Sequence, residues 1–199
     1  MGRKVKDEMK VLALVFALCA TCTQFALADT LTLSGTGANQ IDGVYAYPYY
    51  LSLDGGPSED MMCLSFNNEI SEGETWNVTP TAVTGTPDEE AAWLYWDAEN
   101  NPGNDINDQL AAWSLFASNV PMTAGANTQL ADALASIGKE PQAFYSQFTI
   151  YVPVGDPNAA GYPQTFISET STPEPWPLLM LGTGFMVLWG GRKLKLMCN

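Results

Sequence analysis

The side chains able to do covalent, acid–base or metal chemistry are few in this chain and unevenly placed. No histidine occurs among its 199 residues. That excludes Ser-His-Asp and Cys-His triads and, with so few cysteines, any ordinary zinc site. Of the four cysteines, Cys19, Cys22 and Cys198 lie in or beside apolar terminal stretches, leaving Cys63 alone in the polar middle. An odd thiol is either buried and inert, paired between molecules, or chemically committed. No glycine-rich phosphate loop precedes a helix, and GTGAN at Gly35 to Asn39 reads as a turn. Carboxylates are abundant, but a two-carboxylate hydrolase needs one of them desolvated in a cleft, and no spacing singles out such a pair. No enzyme and no cofactor are therefore expected. Calcium is the one metal with donors to offer: Asp97, Asn101 and Asp105, among Glu99, Asn100, Asn104, Asn107 and Asp108, set hard oxygens around a single loop. The spacing is not that of an EF-hand, and helix capping uses the same residues. Tyr45, Tyr47, Tyr49 and Tyr50, with Trp76, Trp93, Trp96 and Trp113, offer either a sugar-stacking platform or a core, and their spacing suits a core.

These residues need elements to hold them. The runs TLTLSG from Thr30, GVYAYPYYLSL from Gly43, MMCLSF from Met61 and TWNVTPTAV from Thr75 are separated by Gly, Asp, Pro and Ser and read as strands. The pattern then changes period. Thr86-Pro87-Asp88-Glu89 reads as a threonine cap, a proline at the first helical position and a glutamate at the third, opening a helix through EEAAWLYWDAEN. Asp105 is placed to cap a second helix, with Ile106, Leu110, Trp113 and Ala117 on one face. A third is expected from a Thr128 cap through Leu130, Leu134 and Ile137 to Gly138. QFTIYVPV from Gln147 alternates as a returning strand, and Tyr162, Phe166 and Ile167 read as an edge strand. Strands, helices and a returning strand make an α+β domain of antiparallel strands with an inserted helical section.

Charge is sharply segregated. Arg3, Lys4, Lys6 and Lys10 open the chain, and Arg192, Lys193 and Lys195 close it. Only Lys139 lies between, against 20 of the 22 acids, so Asp29 to Pro175 carries 1 − 20 = −19. That stretch cannot neutralise phosphates, which excludes nucleic acid as a partner. The basic start, the apolar run VLALVFALCA and the exit Ala26-Leu27-Ala28 read as a secretory signal cut after Ala28. At the other end, Trp176 to Gly191 is uncharged and mostly apolar, slightly short of the ~20 residues that span a bilayer, and is stopped by Arg192 and Lys193. Basic flanks favour the cytoplasmic side, so the acidic body is expected outside. The expected organisation is residues 1–28 signal peptide, 29–168 acidic domain, 169–175 flexible stalk, and 176–199 transmembrane helix with a basic tail.

Two resemblances are carried by these residues. Pro173-Glu174-Pro175, the apolar run with Gly182, Gly184 and Gly190, and Arg192-Lys193 resemble the PEP-CTERM sorting signal of exported Gram-negative proteins, although the tail RKLKLMCN departs from that family's usual arginine run. The resemblance implies an exosortase as partner, an inner-membrane intermediate held by the C-terminal helix, and delivery to the cell surface or extracellular matrix. In the body, MMCLSFNNEI, GETW at Gly73, AAWLY at Ala91 and QLAAW at Gln109 to Trp113 resemble, in that order, the thioester domains of bacterial surface adhesins. Two departures are visible: Leu-Ser follows Cys63 where an acidic residue is common, and the separation from Gln109 is short. This resemblance implies a covalent adhesin in which Cys63 and Gln109 form an internal thioester that an amine on a partner opens. The leading expectation is a non-enzymatic exported surface or matrix protein, with the covalent adhesin as the alternative. A carbohydrate- or calcium-binding module facing an exopolysaccharide is a further alternative.

If both ends are addresses, the mature protein has an intact mass that starts at Asp29 and stops near Pro175. Material that keeps Trp176 to Asn199 after export would defeat the processing reading.

Overall fold

The computed structural model describes residues 29–170. Ala26 and Ala28, the Pro173-Glu174-Pro175 motif, the apolar run from Trp176, and Arg192 and Lys193 lie outside the described residues. Among the described residues no helix is long and apolar enough to cross a membrane.

Among the described residues eight strands and four helices follow one another as β1 (Asp29–Thr36), β2 (Gln40–Ile41), β3 (Val44–Tyr45), β4 (Tyr49–Leu53), β5 (Ser58–Cys63), β6 (Thr75–Ala82), α1 (Thr86–Asn100), α2 (Asp105–Phe116), α3 (Ala124–Ser136), α4 (Gln142–Tyr145), β7 (Phe148–Pro153) and β8 (Phe166–Glu169). Six strands close an antiparallel barrel in the order β1-β4-β5-β8-β7-β6, and β2 and β3 form a separate two-stranded hairpin. The helices are inserted between β6 and β7, as the change of period predicts.

Alternation on β5 explains how the barrel and the helices share a core. Successive side chains of a strand point to opposite faces. Met61 and Cys63 accordingly join Leu31, Leu51, Val78 and Phe166 in one cluster, while Met62 and Leu64 join the helical side with Leu94, Ala112 and Ile167. α2 bridges the two: Leu110 and Trp113 enter the first cluster, and Ala111 and Ala112 enter the second. Their small side chains let α2 pack closely on α1 and α3.

Several boundaries differ from the sequence reading, each for a local reason. The run from Gly43 is two strands, broken across Ala46, Tyr47 and Pro48, because proline has no N–H to give a ladder. β5 ends at Cys63, so Leu64 to Phe66 leave the sheet. The cap of α1 is Gly85, with a φ of 83° suited to glycine; Thr86 is already helical and Pro87 is in the first turn. Asn104, not Asp105, precedes α2. α3 begins at a Thr123 cap whose hydroxyl accepts from Ala126 N at 2.9 Å, while Thr128 lies mid-helix and bonds Ala124 O. Gly138 does follow the helix end with a left-handed φ of 77°. Leu134 and Val154 are exposed at 58% and 56%, so neither contributes to the core. β8 is not an edge: it bonds both β5 and β7, ends at Glu169, and closes the barrel.

Phe166 sits at that closure, opposite Cys63 in the β5–β8 register and fully buried, with Tyr49 and Trp76 rings at 5.4 Å and 6.1 Å. Phe166→Ala is expected to cost about 3–5 kcal/mol, the range for aromatic truncation in a core. Urea unfolding of the two proteins checks it; a loss below about 1 kcal/mol would mean that β8 is not integral to the barrel.

Candidate functional site at the junction of β5 and α2

Cys63 is the last residue of β5 and has no exposed surface. Because the chain leaves the sheet immediately after it, Ser65 folds back on the thiol: Ser65 N donates to Sγ at 3.4 Å, and the thiol donates to Ser65 O at 3.5 Å. The Ser65 hydroxyl accepts from Thr165 N at 3.0 Å, and Leu64 N donates to Thr165 O at 2.8 Å, which fixes this turn to the approach of β8.

α2 supplies the other half. Gln109 and Trp113 are four residues apart and so share one helix face. Gln109 is fully buried, and its Nε2 donates to the Cys63 backbone carbonyl at 2.6 Å, while its Oε1 meets no donor. Trp113 is 1% exposed, and its ring lies 5.1 Å from that of Phe66. Its indole Nε1 has no partner in full hydrogen-bonding geometry, yet it is close enough to act on the Cys63 thiol. Cys63 and Gln109, paired above only through a family resemblance, are thus brought together by two separate elements.

Burial governs the chemistry of this pair. Desolvation pushes the thiol up to about 12, and donation from Trp113 and the Ser65 backbone pulls it only partway back. A site that penalises thiolate favours neutral sulfur, which is either a thiol or an acylated sulfur. Tyr49 borders the same thiol, and burial followed by the nearness of Cys63 holds its phenol above the usual range.

Behind Gln109 lies an acidic cluster that the sequence only partly marks. Asp97, the calcium candidate on α1, has both oxygens occupied by amides: Asn101 donates to Oδ1 at 2.8 Å and Asn104 to Oδ2 at 2.9 Å. Asn39 donates to Asp105 Oδ2 at 3.1 Å. Asn101 therefore presents its N–H to a carboxylate. Among the described residues no three His, Cys, Asp or Glu side chains are grouped as a metal would need. Asp108, immediately before Gln109, reads from the sequence only as one more oxygen donor of the calcium-candidate loop, and its burial is not legible there. It has no exposed surface, and neither of its oxygens receives a hydrogen bond. Burial, then the charges of Asp97 and Asp105, then a contact with Asp97 itself, push its carboxyl up to about 8. A protonated Asp108 can donate to the Asp97 carboxylate, which two asparagines already hold in place.

The aromatics divide as a core does. Tyr47, Tyr49, Trp76 and Trp113 are buried, whereas Tyr45 and Trp96 are 45% and 40% exposed and stand on different elements.

No family model matches the chain, and no curated protein matches it. Among solved structures, the N-terminal domain of the Streptococcus pyogenes pilus tip adhesin Cpa is similar at 12% identity and a TM-score of 0.41, covering 75% of this chain and 97% of that one.

The buried acid has a pH signature. The folded-state value of Asp108 lies above its ordinary 3.8, so the native protein keeps a proton that the unfolded chain has released. Unfolding free energy from this group therefore falls as pH rises from about 4 to about 8 and levels off beyond. Asp108→Asn should flatten that slope and stabilise the protein above about pH 8 by ~1–3 kcal/mol, the cost of an unsatisfied buried polar group. Urea titrations across the window check this; an unchanged slope would mean that Asp108 is ionised in the native state.

Proposed function

We propose that the domain is a covalent surface-binding module, exported through its two terminal signals and holding a thioester between Cys63 and Gln109. The observation that carries this reading is the 2.6 Å bond from Gln109 Nε2 to the Cys63 carbonyl, between two residues with no exposed surface. Two strands of argument support it. Proximity in a dry site substitutes for the missing histidine and metal, because holding two reactants together removes most of the entropic barrier. The same dryness keeps water from the acyl group once it forms.

The chemistry balances without an added reagent. The Cys63 sulfur attacks Gln109 Cδ, the C–N bond breaks, and ammonia leaves with the thiol proton. A primary amine on a partner later attacks the same carbon; the C–S bond breaks, an amide forms, and the sulfur takes a proton to return to a thiol. The partner stays attached, so each molecule reacts once, as a binding protein rather than an enzyme. The single lysine between the termini, Lys139, leaves the domain few amines of its own to consume the bond. An acidic body with all its basic residues but Lys139 at its two ends fits export, with the exosortase acting on the Pro-Glu-Pro segment.

Intact-mass measurement tests the bond. Native protein should be lighter than its sequence by one ammonia and should incorporate methylamine, and both properties should vanish in Cys63→Ala and in Gln109→Ala. A native protein of full mass whose Cys63 is alkylated stoichiometrically after unfolding overturns the thioester and leaves a buried, unmodified thiol.

A further inference from the structure

A cleft of about 490 Å³ opens beside this pair, between the β2–β3 hairpin and the loop 66–72. Its walls reach the site at two points. Tyr49, in the wall, belongs to the same core cluster as Cys63, and Phe66, also in the wall, packs tilted against Trp113. The charged residues in its lining are Glu69 and Glu72, both exposed and both acidic. Tyr45 offers a half-exposed ring at the hairpin.

One polar group in the wall is unexplained by the fold. Gln164 is 7% exposed; its Nε2 donates to Asn68 O, which anchors the side chain, but its buried Oε1 receives no hydrogen bond. A buried acceptor without a donor is unfavourable, and the loss is recovered when a ligand supplies an N–H. The wall thus combines an unpaired acceptor, two carboxylates without a cation in the lining, and aromatic faces. That set recognises a hydrogen-bond donor with positive charge and an aliphatic stem.

We infer that this cleft is a recognition subsite for a primary alkylammonium group, in which Glu69, Glu72 and Gln164 select the acceptor amine before it reaches the thioester. The inference rests on the proposed Cys63–Gln109 chemistry for its role, but the binding itself does not require the bond. The carboxylates hold the amine as its ammonium ion. The ion must release a proton to water before its nitrogen attacks, so the subsite acts on the concentration of amine at which opening half-saturates rather than on the maximal rate. A lysine side chain presented by a partner protein has this chemistry, as does a free diamine, and the volume admits either.

Two measurements separate the subsite from the bond. In the full chain carrying Cys63→Ala, n-butylammonium chloride should bind saturably, with shifts at the Gln164 side-chain amide in NMR spectra. Glu69→Gln with Glu72→Gln should weaken that binding about three- to tenfold, the effect of removing two exposed ion pairs. Butanol, of similar size and no charge, should bind weakly and equally to both. Absence of shifts around the cleft, or equal affinity with and without the two glutamates, overturns the subsite whatever the state of Cys63. In the protein with native Cys63, the same double substitution should raise the half-saturating concentration of butylamine by a similar factor. Opening by hydroxylamine, uncharged near neutral pH, should be unchanged. A uniform loss with both reagents would signify damage to the site and count against selection by charge. If butylammonium binds the Cys63→Ala chain while native protein has its full mass, the subsite stands and the thioester fails.

Discussion

The exclusion of water from the end of β5 is the constraint on which the rest of the structure depends. Cys63 closes a strand whose alternate residues serve two cores, so its side chain is committed to the barrel interior by the same pleat that sends Met62 to the helices. Closure of the barrel by β8 removes the open edge that would otherwise admit water beside it. α2 then covers the thiol with the indole of Trp113 and brings the Gln109 amide to the Cys63 carbonyl. Nothing in this arrangement stabilises a thiolate strongly enough to offset burial. The environment is suited to sulfur that carries either a proton or an acyl group.

Holding Gln109 in that position involves an unfavourable neighbour. Asp108 enters the same buried layer one residue earlier, facing Asp97 from α1 and Asp105 from its own helix, and without a cation to pair with. Acids near a helix N-terminus gain from the exposed N–H groups and the dipole, which offsets part of the cost. Asn101, Asn104 and Asn39 supply the amide donors that a basic residue would otherwise provide. The cluster reads as a polar bracket for the α1–α2 connection, whose rigidity sets where Gln109 points. Oxygen-rich loops of this composition attract a calcium reading from sequence, and the amide donors aimed at the carboxylates are what that reading cannot see.

Much of the fold was legible from periodicity, and the failures have physical causes. α1 is legible from its proline and acids at the first turn, α2 from apolar residues at helical spacing, β1 and β6 from strand-forming runs bounded by turn residues, and β7 from alternation. Caps differ from the sequence reading by one to five residues, Gly85 for Thr86, Asn104 for Asp105 and Thr123 for Thr128, because several capping residue types lie near each helix start. β8 was read as an edge because its residues specify a strand but not its partners, and pairing with β5 lies about a hundred residues away in the chain. Proximity of Cys63 to Gln109 followed from a family resemblance and not from spacing. No periodic signal links a strand end to a helix 46 residues later. Gln164 carried no signal, and Asp108 read only as one oxygen donor among eight in the calcium-candidate loop, since an unsatisfied polar group is a property of its surroundings.

The acyl group proposed for Gln109 would make opposing demands on the surface around it. It must be hidden from water, which argues for a tight core, and reached by an amine, which argues for an opening. The geometry divides these demands between two places. The thiol and amide are fully buried, while the cleft is lined by Tyr49, from the core cluster of Cys63, and by Phe66, which packs against Trp113. The strongly acidic exterior extends the same logic outward. It concentrates cations near the domain while the scarcity of lysine prevents the domain from supplying them itself. Charge composition, usually an argument about solubility, would on the proposed chemistry also bear on which nucleophile reaches the site.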